Sequence, residues 1–360
     1  MQENEDVQRL SISSCVYVVY GRNTAERDRM YHFLEALGLQ PITKETVVQW
    51  TGSLAPYTDQ MIDEAFKRAQ VIIVLFTGDD FARLRPQLQR KNDPRYEKEL
   101  TPQPRQDQIF EAGYAFGRSP KRTILLQIGK FIRQFSDIDE RYIADFSWKD
   151  NDLKNLVIRL KSAECAIKLD KQYWELAGLS PELYREIDLL MKNDIRNDSF
   201  KKDFGIGKDK NEINIKSKDN EVFIIHGRNR NISNHLLAFL DIIGLLGIPW
   251  QEAVLSASEA SSYIGEVLDV MMQRAQAVIV LLTGDDEGCL RKELFMEGDS
   301  EEDLQLLPQP RPNVLFEAGM AFAHRRLAAN TLLVQVCEVR VCLSLSGRNR
   351  INLTNNLPFA

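Results

Sequence analysis

The sequence predicts an α/β protein built as two doubly wound parallel sheets in tandem, with a helical extension after the first. Three observations carry this. The chain repeats itself at a fixed offset. Short apolar runs of strand length alternate with amphipathic stretches of helix length. The best-matched residues fall where such strands end.

The repeat sets the organisation. "VYVVYGRN" at 16–23 matches "VFIIHGRN" at 222–229, and "KRAQVIIVLFTGDD" at 67–80 matches "QRAQAVIVLLTGDD" at 273–286. "QPRQDQIFEAG" at 103–113 matches "QPRPNVLFEAG" at 309–319. Gly227 lies 206 positions after Gly21, as Asp286 does after Asp80 and Glu317 after Glu111. Thr331 then follows Thr123 by 208, so two residues were gained in the turn before that strand, where insertions are tolerated. The first copy is assigned to 14–175, a helical extension to 176–193, a linker to 194–219 and the second copy to 220–360, shortened at its C-terminus. The linker is rich in Lys, Asp, Asn and Gly without an apolar period, so it reads as solvated chain.

Within the first copy, "CVYVVY" is an apolar β-branched and aromatic run, hence a buried strand. "GRN" turns the chain, with Asn23 and Glu26 resembling a helix-capping pair. "AERDRMYHFLEALG" has helical apolar spacing and ends at Gly38, a C-cap glycine. "QPIT" is a candidate second strand, and "YTDQMIDEAFKRA" another amphipathic helix. "VIIVLF" is apolar on both faces, as a strand between helix layers must be, and "TGDD" follows as a loop. "DQIFEAGYAFGR" reads as a helix and "TILLQI" as a strand. In the extension, Ser180 and Pro181 mark the start of "SPELYREIDLLMKN". The sum is a flavodoxin-like sheet of order 2-1-3-4-5 in each copy, whose ligands bind beyond the carboxyl ends of the strands.

Composition narrows the function. The 360 residues are 44% apolar, enough for a core in each copy, and the net charge of -6 argues against a general nucleic-acid binder. The five cysteines include no CxxC and are odd in number, so they read as reduced thiols. The four histidines have no ligand spacing, and no metal is expected. The first residues hold no basic segment leading into an apolar one, and the longest apolar runs are short. A cytoplasmic chain with no signal peptide, no membrane span and no direct nucleic-acid binding is therefore expected.

The candidate site residues lie on the strand-end rim. Glu111 and Glu317 are either helix glutamates favoured by the dipole or catalytic carboxylates. Phe110 and Phe316 precede them, and glycines two residues on cost helix propensity, which points to a close approach of chain or ligand. Gly21, Arg22, Asn23 and their copies Gly227, Arg228, Asn229 form either a plain turn with a helix cap or a phosphate-binding loop. Asp79, Asp80, Asp285 and Asp286 could bind Mg²⁺ or a ribose, or cap the next helix, which is the reading favoured on sequence. Arg105 and Arg311 either hold a phosphate or pair with an acid. Tyr57 and Tyr263 open the helix before the third strand.

With these residues in hand, "HGRN", "QAVIVLLTGDD" and "LPQPRPNVLFEAGMAF" resemble the TIR-like domain of bacterial anti-phage effectors of the CBASS and Pycsar type. The resemblance spans most of 14–175 and 220–355. It implies a TIR fold and hydrolysis of NAD⁺, as substrate rather than cofactor, to nicotinamide and ADP-ribose species. The family's essential glutamate carries over to Glu111 and Glu317. It further implies TIR–TIR self-association and a separate sensor or activator protein. The copies depart from the pattern differently, the first having Tyr20 in place of the histidine of "HGR". A non-enzymatic nucleotide-binding or signalling scaffold is the alternative.

Overall fold

The computed structural model describes residues 12–54, 56, 58–133, 135, 143–192, 220–248, 264–324 and 326–353. The interval 193–219, which contains the expected linker, lies outside them, as do Tyr57 and Tyr263.

The first half begins with β1 (Cys15–Val19), whose alternate faces are both buried as its apolar run requires. It is followed by α1 (Thr24–Ala36), capped by Asn23, whose side chain accepts from the Glu26 amide. Gly38, at φ +68, lets the chain leave α1 in the left-handed region. There follow β2 (Gln40–Ile42), α2 (Lys44–Thr51), α3 (Thr58–Arg68) and the fully buried β3 (Val71–Thr77). Next come β4 (Asp80–Leu84), α4 (Arg95–Lys98), β5 (Thr101–Gln103), α5 (Gln106–Arg118), β6 (Thr123–Ile128) and β7 (Ala144–Phe146). The first copy ends with α6 (Asp150–Ser162) and α7 (Lys171–Leu176), and the extension supplies α8 (Pro181–Lys192). The Ser180 hydroxyl caps α8 by accepting from the Leu183 amide.

The second half repeats the plan with β8 (Glu221–Ile225), α9 (Arg230–Ile242), β9 (Leu246–Ile248), α10 (Ile264–Arg274) and β10 (Ala277–Leu282). It continues through β11 (Asp286–Leu290), β12 (Leu307–Gln309), α11 (Pro312–Ala323), β13 (Thr331–Val336), α12 (Leu343–Ser346) and β14 (Arg350–Leu353). Each half carries a five-stranded sheet, in the orders β2-β1-β3-β6-β7 and β9-β8-β10-β13-β14. All their pairings are parallel. Both are the expected 2-1-3-4-5.

A third sheet was not expected. The "TGDD" acids do not cap a helix: a strand starts at Asp80, and another at Asp286. β4 pairs antiparallel with β11, flanked by β5 and β12, so this sheet is shared by the halves. Its register sets Ala82 against Gly288, its own repeat counterpart, which places a pseudo-two-fold axis between the halves. The same symmetry governs α5 and α11, which cross in contact along their lengths. A Cβ on Gly113 would overlap the Phe316 carbonyl oxygen, and one on Gly319 the Phe110 carbonyl oxygen. The glycines after the glutamates therefore serve a close approach of chain to chain, and the two halves share one core through Phe110, Phe316 and Phe322.

The halves differ on their outer faces. In the first, Trp174 of α7 and Leu183 and Ile187 of α8 join the core that covers Phe33, Ala36 and Leu37. The counterparts Phe239, Ile242 and Ile243 are 54%, 82% and 51% exposed, against 1% or less in the first half. No helix among the described residues is long and apolar enough to cross a membrane.

Candidate active site

The carboxyl ends of β1 and β3 flank the switch point of the first sheet, and "GRN" and "TGDD" both leave from there. The first acid of "TGDD" organises the first loop. Asp79 accepts from the Arg22 amide at 2.5 Å and the Asn23 amide at 3.4 Å. Asp285 does the same for the amides of Arg228 and Asn229. A Cβ on Gly21 or Gly227 would collide with that carboxylate, so glycine there leaves room for the acid. These two acids are loop-holding groups, each buried and spent on backbone donors.

The second acid belongs to the interface between halves. Asp286 pairs with Arg133 at 2.6 Å and lies 3.7 Å from Arg311, and both arginines also reach Glu97. Asp80 pairs with Arg105 at 3.2 Å and Arg340 at 3.4 Å, and both arginines also reach Asp303. The two four-membered clusters are pseudo-symmetric copies, each drawing on both halves. Burial holds the Asp80 carboxyl up at about 6 against the pull of Arg105 and Arg340. Burial also raises Asp286, whereas at Glu97 the two arginines outweigh burial and hold the carboxyl below its ordinary value.

The "GRN" arginines likewise reach across. Arg22 pairs with Asp299 at 2.7 Å, and Arg228 with Asp93, the repeat counterpart of Asp299. Phe110 and Phe316 are fully buried in the shared core.

Glu111 is placed differently. It is the sixth residue of α5, beyond the first turn, so helix-end electrostatics do not keep it ionised. Burial first, and the Asp107 carboxylate second, push its carboxyl up to about 8, with Lys44 opposing. It lines a cavity of about 550 Å³ at the strand-end rim, together with Gly21, Arg22 and Arg105 from the expected set. That volume is within the roughly 300–1,000 Å³ typical of small-molecule sites. The second half closes one side: Met296, Leu343 and Ser344 line the same cavity. Asp107 fixes this wall by accepting from the Ser344 amide at 2.9 Å and hydroxyl at 2.8 Å.

Glu317 holds the same place in α11 and is 9% exposed. The segment 250–263, which corresponds to 44–57 around the first cavity, lies outside the described residues. Asn229 and Asp285 line a separate cavity of about 330 Å³ on the rim of the second sheet. Sequence reasoning missed Lys44, Arg27 and the α12 wall around Glu111, because none of them repeats between the copies. Among the described residues no group of three His, Cys, Asp or Glu could hold a metal ion.

Comparison with known families matches residues 15–147 and 221–355 to the family described as CAP12/Pycsar effector protein, TIR domain. The chain belongs to this family. Each matched region coincides with one parallel sheet and its helices, so the protein is a tandem TIR effector of the anti-phage type. Searches of the curated proteins and of the solved structures gave no match. The TIR halves are joined by the antiparallel sheet and the α5–α11 crossing, which make one body of the two.

Proposed function

We propose that this TIR tandem hydrolyses NAD⁺ to nicotinamide and ADP-ribose, with Glu111 as the catalytic carboxylate in the first half. The observation that carries the reading is the position of Glu111: a carboxyl at the switch-point rim, opening into a dinucleotide-sized cavity lined by basic side chains. Family membership supports it.

The chemistry needs only one acid. Glycoside hydrolysis ordinarily uses two carboxyl groups because the leaving alcohol must be protonated. In NAD⁺ the bond between C1′ and the pyridinium nitrogen breaks with its electron pair going to nitrogen, and nicotinamide leaves neutral. The ribosyl group is left with oxocarbenium character, which an ionised carboxylate stabilises. Water then adds at C1′, and its proton passes to the carboxylate. Burial alone favours the protonated acid, whereas the cationic nicotinamide ribosyl unit favours the anion. Substrate binding thus ionises Glu111 where the charge is needed, its proton passing to solvent before the bond to nicotinamide breaks.

The tandem arrangement gives the second half a role as the closing wall, and Glu317 is its repeat counterpart in the opposite site. Nicotinamide release by the full chain, measured by chromatography, tests the reading with Glu111→Gln, Glu317→Gln and the double variant. Glu111→Gln is expected to lower release at least a hundredfold, and undiminished release by the double variant would exclude both glutamates. Assembly of several copies, or a partner protein, is proposed as the natural trigger.

A further inference from the structure

The cavity beside Glu111 holds more positive charge than chemistry at the ribose requires. Arg22, Arg27, Lys44 and Arg105 all line it. Arg22 is matched by Asp299, Arg27 by Asp28, and Arg105 by Asp80. Lys44, the first residue of α2, is exposed and has no ion-pair partner among the described residues. Its ammonium stands 5.7 Å from the centroid of the Tyr20 ring. The Arg27 guanidinium stands 5.0 Å from the same centroid and donates to the Tyr20 hydroxyl at 3.3 Å. One aromatic ring thus collects two cations at the cavity edge, where like charges repel unless an anion joins them.

None of this cluster repeats. His226, Ser233 and Trp250 stand 206 positions after Tyr20, Arg27 and Lys44. The Ser233 hydroxyl is buried and donates to the Arg230 carbonyl. The strand and helix that carry Tyr20 and Arg27 therefore do not need this arrangement, since β8 and α9 form with His226 and Ser233 in those places.

We propose that Lys44 and Arg27, mounted on Tyr20, form a diphosphate subsite belonging to the first half alone, which makes the ligand class a nucleoside diphosphate ester rather than a nucleoside. The assignment of the ester to a pyridine dinucleotide rests on the proposed NAD⁺ hydrolysis; the diphosphate contact does not. An ammonium and a guanidinium together suit the two adjacent phosphates, as a point charge and as a planar fork.

Calorimetric titration tests this on the full chain carrying Glu111→Gln, which prevents turnover. The probes are ADP-ribose, ADP and nicotinamide riboside. Adding Lys44→Gln is expected to raise the Kd for ADP-ribose and ADP about 10- to 100-fold, the range for one charge-assisted hydrogen bond. Lys44→Arg should recover most of it, and nicotinamide riboside should shift less than about threefold. A Kd for ADP-ribose unmoved by Lys44→Gln and by Arg27→Gln would overturn the proposal, as would equal losses for all three probes or no diphosphate binding at all. Because the titration reads binding, it remains decisive if nicotinamide release fails, and that failure would count against the hydrolysis alone.

Discussion

Arg22 of the first TIR half pairs with Asp299 of the second at 2.7 Å, and the exchange is mirrored by Arg228 and Asp93. The arginines of the two "GRN" loops therefore tie each strand-end rim to the opposite half. With the shared antiparallel sheet and the α5–α11 crossing, they make the site around Glu111 a product of both halves.

The buried charge clusters should be the most sensitive part of this joint. Arg133 is almost wholly buried and satisfies both Asp286 and Glu97. Arg133→Met removes one guanidinium and leaves two acids with Arg311 alone. Breaking a buried pair in this way costs about 3–5 kcal/mol. Thermal unfolding should show a Tm lower by roughly 4–7 °C, and an unchanged Tm would mean the cluster is solvated.

The helix crossing admits no side chain at its centre. Gly113→Val and Gly319→Val each drive a side chain into the backbone of the facing helix. Overpacking of this kind costs about 1–3 kcal/mol or more, and the two variants should lose similar stability because the sites are pseudo-symmetric. Gly347→Ala is the control, with open space around it and φ -79. Equal Tm values for all three variants would contradict the crossing.

Glu111 should trade stability against activity. Its carboxyl binds a proton up to about pH 8 in the native chain and releases it near 4.5 when unfolded. Between those values the unfolded state holds fewer protons, so the group's contribution to stability declines as pH rises through the window and levels off above it. Glu111→Gln should consequently raise Tm by roughly 2–4 °C at pH 8, allowing for partial solvent access, and leave it unchanged at pH 4. Over the same range kcat/KM for NAD⁺ should climb with pH and flatten above about 8, reporting the free enzyme's carboxylate. A flat profile would assign the chemistry elsewhere.

The parallel sheets were legible because β1 and β3 are apolar runs of strand length, buried on both faces, and β6 has an apolar middle. The antiparallel sheet was not. β4 and β5 are short, β5 contains Pro102, and β11, the strand that pairs with β4 from the other half, lies some two hundred residues away. The same distance hid the role of Asp80 and Asp286. Their partners Arg340 and Arg133 follow segments where the two copies no longer align, so local reasoning preferred a helix cap. Glu111 stood out because it repeats. Lys44 and Arg27 escaped notice because they do not, and a search by internal repetition passes over whatever one copy alone has acquired.

The central claim is that the cavity beside Glu111 takes the dinucleotide and that the second half forms part of its wall. It is tested most directly by calorimetric titration of NAD⁺ into the full chain carrying Glu111→Gln, with and without Met296→Trp or Leu343→Trp. Both positions line the cavity from the second half and are exposed, so the fold should tolerate the larger side chain. The account predicts that each tryptophan weakens NAD⁺ binding at least about tenfold with Tm unchanged. Binding of undiminished affinity in both variants would contradict it.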